Sequence, residues 1–221
     1  MKLRSIKEEN VTSKRVLVRC DFNCPLSKEG EILNDYRIQA SIPTIEYLLA
    51  NGAKIILMSH LGKPKGEFKK ELSLTPIQEK LFEYLDVSIA KAPDCIGKNI
   101  EEMVKELQEE EILLLENLRF HKGEEENDEK FAQKLAKLGE IYVNDAFSVS
   151  HRNHASVSKI QEYLPSYAGL LLEKEVENLT KVIEKPKRPL VAVFGGAKIE
   201  TKLPAIKRFL EIADFVLVGG K

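Results

Sequence analysis

Short runs of consecutive apolar and β-branched residues alternate with helical patterns along the chain, and this alternation constrains the fold more than any other feature. The predicted strands cover residues 15–19, 54–58, 86–90, 112–115, 141–144, 190–194 and 215–218. Several are apolar at consecutive positions, which is typical of parallel strands buried on both faces. We therefore predict an α/β fold with a mainly parallel sheet between two layers of helices.

Helix signals occupy the segments between the predicted strands. Thr75-Pro-Ile-Gln78 has the pattern of a capping box with proline at the first helical position, and an apolar stripe that includes Phe82 follows it. Another apolar stripe ends at Asn51-Gly52, which indicates a helix C-terminus. Residues 170–185 form a long amphipathic pattern, and Pro186 is expected to end that helix.

The order of these elements predicts three parts. Residues 1–170 are expected to form one α/β domain, and residues 171–189 an interdomain helix and linker. Residues 190–221 contain only a strand, a glycine turn, a helix and a strand, so they are predicted to be the truncated start of a second, similar domain. A single βαβ unit of this kind cannot cover both faces of its own sheet.

Composition excludes several classes of protein. The chain has 34 basic and 35 acidic residues, and its formal net charge of −1 argues against nucleic acid or an anionic membrane as a partner. It has neither an apolar run of about 18 residues nor an apolar N-terminal signal. Cys20, Cys24 and Cys95 are few and badly spaced for zinc, so they are predicted to be structural, no metal site is expected, and the location is expected to be cytoplasmic.

Polar and cationic residues follow four of the predicted strands, where ligands bind in open α/β sheets. They are Asp21, Asn23, Arg37, His60, Lys63, Arg119 and Arg152. The cations and the histidine suit a small ligand with several anionic groups, and the aspartate and asparagine can accept hydroxyl hydrogens or orient the arginines. Each residue taken alone could equally be part of an ordinary polar loop.

A glycine turn after the sixth predicted strand is a second candidate site. Gly195-Gly-Ala-Lys-Ile-Glu-Thr-Lys202 lacks the second glycine of a Walker A loop, yet its backbone and two lysines at a helix start suit phosphate oxygens. A tight strand–helix connection is the competing interpretation. The chain shows no nucleophile elbow and no cysteine with a positioned histidine, so covalent catalysis is not indicated.

Six motifs together resemble phosphoglycerate kinases. They are RVLVRCDFNCP at 15–25, YRI at 36–38, SHLGKPKG at 59–66, LENLRFH at 115–121, NDAFSVSHRNHAS at 144–156 and GGAKIETK at 195–202. They occur in the family's order and span essentially the whole chain.

The resemblance implies two Rossmann-like, three-layer α/β/α lobes joined by a long helix. It also implies a monomeric glycolytic enzyme, a phosphotransferase with a carboxyl group as acceptor. Such a kinase moves a phosphoryl group between 1,3-bisphosphoglycerate and ADP, giving 3-phosphoglycerate and ATP, with Mg²⁺ carried by the nucleotide. The first lobe would bind the phosphoglycerate and the second the nucleotide.

The matching positions imply particular roles. Substrate would be bound by Asp21, Phe22, Asn23, Arg37, His60, Leu61, Gly62, Lys63, Arg119 and Arg152. Arg37 and Lys198 would be catalytic, because phosphoryl transfer depends on positioning and charge neutralisation. The nucleotide would be bound by Gly196, Ala197, Lys198, Lys202 and Gly219.

The chain departs from the family pattern at four places. Lys63 stands where arginine is usual, Ser148-Val-Ser150 replaces Gly-Thr-Ala, and Ile199-Glu-Thr replaces Val-Ser-Asp. The chain also ends at Lys221, about half of the family's length. We therefore expect it to bind 3-phosphoglycerate without efficient turnover. The alternative is a non-catalytic Rossmann-like module that binds phosphate or another anion.

Overall fold

The protein is described by a computed structural model over residues 3–196 and 200–220. It contains two compact units, Met1–Lys174 and Glu175–Lys221. The first unit is built on a six-stranded sheet in the order β3-β4-β2-β1-β5-β6. Its strands are β1 Arg15–Arg19, β2 Lys54–Met58, β3 Ile89–Lys91, β4 Ile112–Leu114, β5 Ile141–Asn144 and β6 Ser166–Ala168.

All five neighbouring pairs of this sheet are parallel, which confirms the predicted fold class. The helices are α1 Tyr36–Ala50, α2 Thr75–Phe82, α3 Lys98–Glu106, α4 Lys122–Glu125, α5 Glu129–Ala136, α6 Leu170–Glu184 and α7 Leu203–Ile212. Short 3-10 helices lie at Ile6–Glu8, Lys70–Leu72, Leu118–Phe120, Phe147–Val149, Lys159–Glu162 and Glu200–Lys202.

Alternate residues of the central strands enter two separate cores. Val16 and Val18 belong to one apolar cluster, which also contains buried residues of α1 and α2. Leu17, between them, belongs to a second cluster with buried residues of α3 and α5. Because successive side chains of a strand point to opposite faces, a strand covered on both sides must be apolar at every position. This explains the uninterrupted apolar runs in the sequence.

The register of the sheet gathers the segments that follow its strands. Arg19, the last residue of β1, is aligned with Met58 at the end of β2 and with Asn144 at the end of β5. The loops after β1, β2 and β5 therefore leave the sheet at one edge. This is the edge at which parallel α/β sheets bind ligands.

Three local predictions were wrong. The strand expected at 86–90 is Ile89–Lys91, and β6 was not predicted. The capping box does not form, because the helix begins at Thr75 after an N-cap at Leu74 that makes no side-chain cap bond. The Leu74 amide donates instead to Glu116 Oε1 at 2.8 Å, and the Gln78 amide group donates to Ile89 O at 2.7 Å.

The second unit contains a two-stranded parallel sheet of β7 Val191–Phe194 and β8 Phe215–Val218, with α7 between the strands in sequence. Helix α6 runs in sequence from the first unit into the second. Within the described residues, no helix combines the length and the apolar character that a membrane span requires.

Candidate functional site

The carboxylate of Asp21 connects three segments at the ligand-binding edge of the first unit. Its Oδ1 accepts a hydrogen bond from the Asn23 amide at 3.1 Å. Its Oδ2 accepts from Arg37 Nη1 and from the Ser148 hydroxyl. Arg37 lies in the first turn of α1, and its side chain remains 43% exposed. The guanidinium is therefore placed by Asp21 and still open to a ligand.

The turn after β2 is fixed from both sides at Gly62. Its amide donates to Asn23 Oδ1 at 2.9 Å, and its carbonyl accepts from Arg119 Nη1 at 2.7 Å. The glycine has φ +61°, and a Cβ there would meet Leu72 Cδ2 at 2.7 Å. A side chain here would be strained by the backbone conformation and would have to displace the Leu72 side chain.

Asn117 also holds this turn; it follows a predicted strand, but the sequence assigned it no binding role. Its Oδ1 accepts from the Leu61 amide at 3.2 Å, and its Nδ2 donates to Leu61 O at 2.7 Å. Asn117 is fully buried and lies inside the LENLRFH segment directly after β4. Its position at a strand end was the signal that could have identified it.

Arg119 is a buried cation of the site. Its side chain is 3% exposed, and its Nε lies 3.2 Å from Glu125 Oε1 without hydrogen-bond geometry. Burial lowers the pKa of this guanidinium, and the Glu125 carboxylate opposes that effect. A guanidinium remains protonated in proteins, so Arg119 is a permanent positive charge. Because it is buried where the dielectric constant is low, it attracts an anion more strongly than an exposed arginine does.

His60 is buried beside the arginines. Its Nδ1 lies 3.2 Å from Arg19 Nη2. Burial lowers the pKa of the imidazole far below its ordinary range, and Arg19, Arg119 and Arg152 lower it further. The ring is therefore neutral at physiological pH.

The remaining predicted site residues of this unit differ in their exposure to solvent. Arg152 is half-buried in the loop after β5, and Lys63 is exposed. The side chains of Phe22 and Leu61 belong to the apolar core, so only their backbone can face a ligand. The Phe22 amide donates to Ser59 Oγ at 2.8 Å, which ties the loop after β1 to the end of β2.

Glu124 is buried, although it belongs to an acidic run, Glu124–Glu126, and runs of like charge usually lie on solvated surfaces. Its carboxylate accepts from both the hydroxyl and the amide of Ser156, at 2.6 and 2.9 Å. Arg19 Nη2 lies 3.9 Å from the same carboxylate. The positive charge of Arg19, which lies 105 positions from Glu124 in the sequence, compensates this burial.

The glycine turn of the second unit brings three predicted nucleotide residues together. Gly196 has φ +109°, and a Cβ added there would lie 3.3 Å from Lys202 Nζ. The Gly219 amide donates to Phe194 O at 2.8 Å, at the end of β7. Ala197 and Lys198 lie outside the residues that the structure describes.

Asp94, Cys95 and His121 form a cluster whose ligand atoms lie within 4.8 Å of one another. His121 Nε2 is 2.5 Å from Asp94 Oδ1, and the Cys95 thiol donates to Glu116 O at 2.9 Å. Burial raises the pKa of this thiol. The three groups thus satisfy one another or the backbone, as expected of structural contacts.

Comparison with known proteins agrees with this architecture. A family model described as "Phosphoglycerate kinase" matches residues 6–221. The phosphoglycerate kinase of Coprothermobacter proteolyticus is 52% identical over 220 residues, which are 100% of this chain and 56% of the relative. That of Aquifex aeolicus is 47% identical over 221 residues, or 100% of this chain and 55% of the relative.

Solved structures show the same relationship. The phosphoglycerate kinase of Coxiella burnetii has a TM-score of 0.84 at 37% identity, and that of Pyrococcus horikoshii has 0.88 at 36%. Each comparison covers 99% of this chain and 55% of the other. The chain spans about half the length of the curated relatives that it matches. Since sequence and fold agree from one end of the chain to the other, it belongs to the phosphoglycerate kinase family.

Proposed function

We propose that the site of the first unit binds 3-phosphoglycerate. The observation that carries this proposal is the convergence of Arg37, Arg119 and Arg152 with a neutral His60 at the ligand-binding edge of the sheet. A carboxylate and a phosphate on one small molecule call for several fixed donors, and arginine supplies them in bidentate geometry.

Asp21 would accept a hydrogen bond from the hydroxyl group of the same ligand. A carboxylate offers about four lone-pair sites on two oxygens. Its contacts to Asn23, Arg37 and Ser148 use three of these sites and leave one for a further donor.

The whole protein would catalyse reversible phosphoryl transfer between 1,3-bisphosphoglycerate and ADP. In a loose phosphoryl-transfer transition state the protein contributes position and positive charge. Arg37 would supply charge from the first unit, and Lys198 from the glycine turn of the second. The cytoplasmic location, the monomeric state and the role in glycolysis remain predictions from the family resemblance.

The described residues of the glycine turn suit a phosphate group. Gly196 places a backbone amide there, and Lys202 carries an ammonium group. Mg²⁺ prefers carboxylate, phosphate and water oxygens, so it would arrive with the nucleotide as part of the substrate. Because the chain covers about half of its relatives, we propose that it binds the triose but does not complete the transfer at an enzymatic rate.

Calorimetric titration of the full chain with 3-phosphoglycerate tests the proposal. Arg152→Ala should weaken binding by about 1.5–3 kcal/mol, the loss of a charge-assisted hydrogen bond. Arg208→Ala is the matched control, because Arg208 is exposed in the second unit and pairs only with Glu211 at 2.7 Å among the described contacts. Equal affinity of the wild type and Arg152→Ala would contradict the assignment of this site.

The same preparation should show no ATP formation from 1,3-bisphosphoglycerate and ADP at ordinary enzymatic rates of about 1–10³ s⁻¹. Turnover in that range would refute the absence of catalysis. Binding of inorganic phosphate as tightly as 3-phosphoglycerate would instead favour the alternative of a general anion-binding module.

A further inference from the structure

A chain of buried polar contacts ends at His60, one of the candidate site residues. It consists of Glu124, Ser156, Arg19 and His60, and we call these four residues the buried relay. All four are fully or almost fully buried. Arg19 Nε donates to Ser156 Oγ at 2.9 Å, and the Ser156 hydroxyl donates to Glu124 Oε1 at 2.6 Å. Arg19 Nη2 lies 3.2 Å from His60 Nδ1.

The relay fixes the direction of each hydrogen bond. A carboxylate only accepts, so the hydroxyl hydrogen of Ser156 points to Glu124 and its lone pair faces Arg19. The Arg19 guanidinium is further held by Nη1, which donates to Cys20 O. With three edges engaged, the guanidinium cannot rotate, and Nη2 stays directed at His60.

The hydrogen on His60 follows from this geometry. A guanidinium has donors and no acceptor, so the Nδ1 atom opposite Arg19 Nη2 must accept. A neutral imidazole carries its single hydrogen on the other nitrogen, which makes Nε2 a donor. Within the described residues no hydrogen bond engages His60 Nε2, so this donor is available to a ligand.

The surroundings of His60 keep the ring neutral. Arg19 from β1, Arg119 from the 3-10 helix after β4, and Arg152 and His154 from the loop after β5 all disfavour a second positive charge. The acidic member of the relay, Glu124, is engaged by Ser156 and Arg19. Burial of the ring acts in the same direction and is the largest cause of its lowered pKa.

We propose that Arg19, held by Ser156 and Glu124, is a positioning residue that fixes His60 as the neutral Nε2–H tautomer. His60 then presents the site with a hydrogen-bond donor whose charge does not change with physiological pH. The ligand of that donor rests on the proposed function, whereas the tautomer belongs to the free protein. A merely structural relay would stabilise the fold without selecting one tautomer.

Nitrogen-15 NMR of the imidazole rings in the full-length chain measures the tautomer directly, with the His60 signals assigned by His60→Gln. We expect the wild type to show protonated Nε2 and unprotonated Nδ1, with no titration between pH 5 and pH 8. An Nδ1–H tautomer, or an ordinary titration in this range, would overturn the proposal.

Arg19→Lys tests the cause, because lysine keeps the charge and loses the fork that reaches both Ser156 and His60. We expect both neutral tautomers to appear in this variant. Arg15→Lys is the matched control on the same strand, since Arg15 pairs with surface Glu140 at 3.1 Å. An unchanged tautomer in a folded Arg19→Lys would also overturn the proposal.

Ser156→Ala is the second variant, in case Arg19→Lys does not fold. It removes the acceptor of Arg19 Nε, and it should also mix the tautomers. Titration with 3-phosphoglycerate at pH 8 should then show at least a tenfold weaker Kd in Arg19→Lys than in Arg15→Lys. Absence of binding to the wild type would contradict the proposed function. It would not affect the tautomer result, which the NMR experiment tests in the free protein.

Discussion

At the scale of single residues, the arginines of the candidate site differ in how deeply they are buried. Arg119 is buried and holds the Gly62 carbonyl, whereas Arg37 is half-exposed and bound to Asp21. A buried arginine is part of the fold as well as of the site, because its removal leaves a partner without a hydrogen bond. The Asp21 carboxylate is buried, but it keeps its contacts to Asn23 and Ser148 when the half-exposed Arg37 is removed, so this pair contributes less to stability.

Substitution by alanine should separate these two roles. Arg119→Ala should lower the free energy of unfolding by about 1–3 kcal/mol and weaken 3-phosphoglycerate binding by about 1.5–3 kcal/mol. Arg37→Ala should leave the unfolding free energy within about 1 kcal/mol of the wild type, and weaken binding by a smaller factor than Arg119→Ala. Urea unfolding and calorimetry on the same samples provide the comparison. Equal losses of stability in the two variants would contradict the division.

The residue scale also shows where prediction from sequence ends. Strand ends and motifs pointed to Asp21, Asn23 and His60, because the register of a parallel sheet places such residues at one edge. They could not indicate that Glu124 is buried or that Ser148, in place of the family's usual glycine, donates to Asp21. Both depend on contacts between segments more than 100 positions apart, which no local pattern records.

At the scale of elements, the strands and helices with long patterns were predictable and the short ones were not. Helix α6 was predicted to within one residue, since its amphipathic pattern is long. Strand β6 has only three residues, and it is defined by its pairing with β5 and not by an apolar pattern of its own. The start of α2 shifted because Glu116, at the end of β4, caps the Leu74 amide in place of the predicted side chain.

Helix α6 also begins at an unusual cap. Asp145 Oδ1 accepts from the Leu171 and Leu172 amides at 3.0 and 3.4 Å, while its Oδ2 is buried without a hydrogen bond. A Cβ at Gly169 would lie 2.2 Å from Oδ1, so the close approach requires glycine. Burial raises the pKa of Asp145 to about 6, although Thr44 and the two amides favour the ionised form.

The ionised cap should make stability depend on pH. A carboxyl whose pKa is higher in the folded than in the unfolded chain favours folding while it is protonated. Its contribution to the unfolding free energy is complete below about pH 4 and is lost as the pH rises through about 6. The difference from the usual 3.8 corresponds to at most about 3 kcal/mol.

Asp145→Asn should remove this dependence, because asparagine keeps an acceptor for the α6 amides and cannot ionise. Relative to the wild type, the variant should gain stability between pH 4 and pH 8 in urea unfolding. Glu177→Gln on the same helix is the control: the pKa of Glu177 is lowered by Lys181, so its loss should not produce a gain with rising pH. A constant difference between Asp145→Asn and the wild type would show that Asp145 does not titrate in this range.

At the scale of the whole molecule, the two units differ in how fully their sheets are covered. The six strands of the first unit have an apolar core on each face. The second unit has two strands, and Val193 and Phe215 on them are 73% and 61% exposed. A two-stranded sheet without a cover is marginally stable in water, and local stability follows the amount of buried apolar contact.

Native-state hydrogen exchange on the intact chain should therefore reveal two stabilities. The amides of β1 and β2 should exchange only through global unfolding of the first unit, because they lie in the centre of its sheet. The amides of β7 and β8 should exchange at least tenfold faster, a difference of about 1.4 kcal/mol or more in opening free energy. Low urea should accelerate β1 and β2 more steeply, since their opening exposes more surface. Equal protection and equal urea dependence in the two sheets would mean that they open as one unit, and that the exposed apolar residues of β7 and β8 carry no energetic penalty.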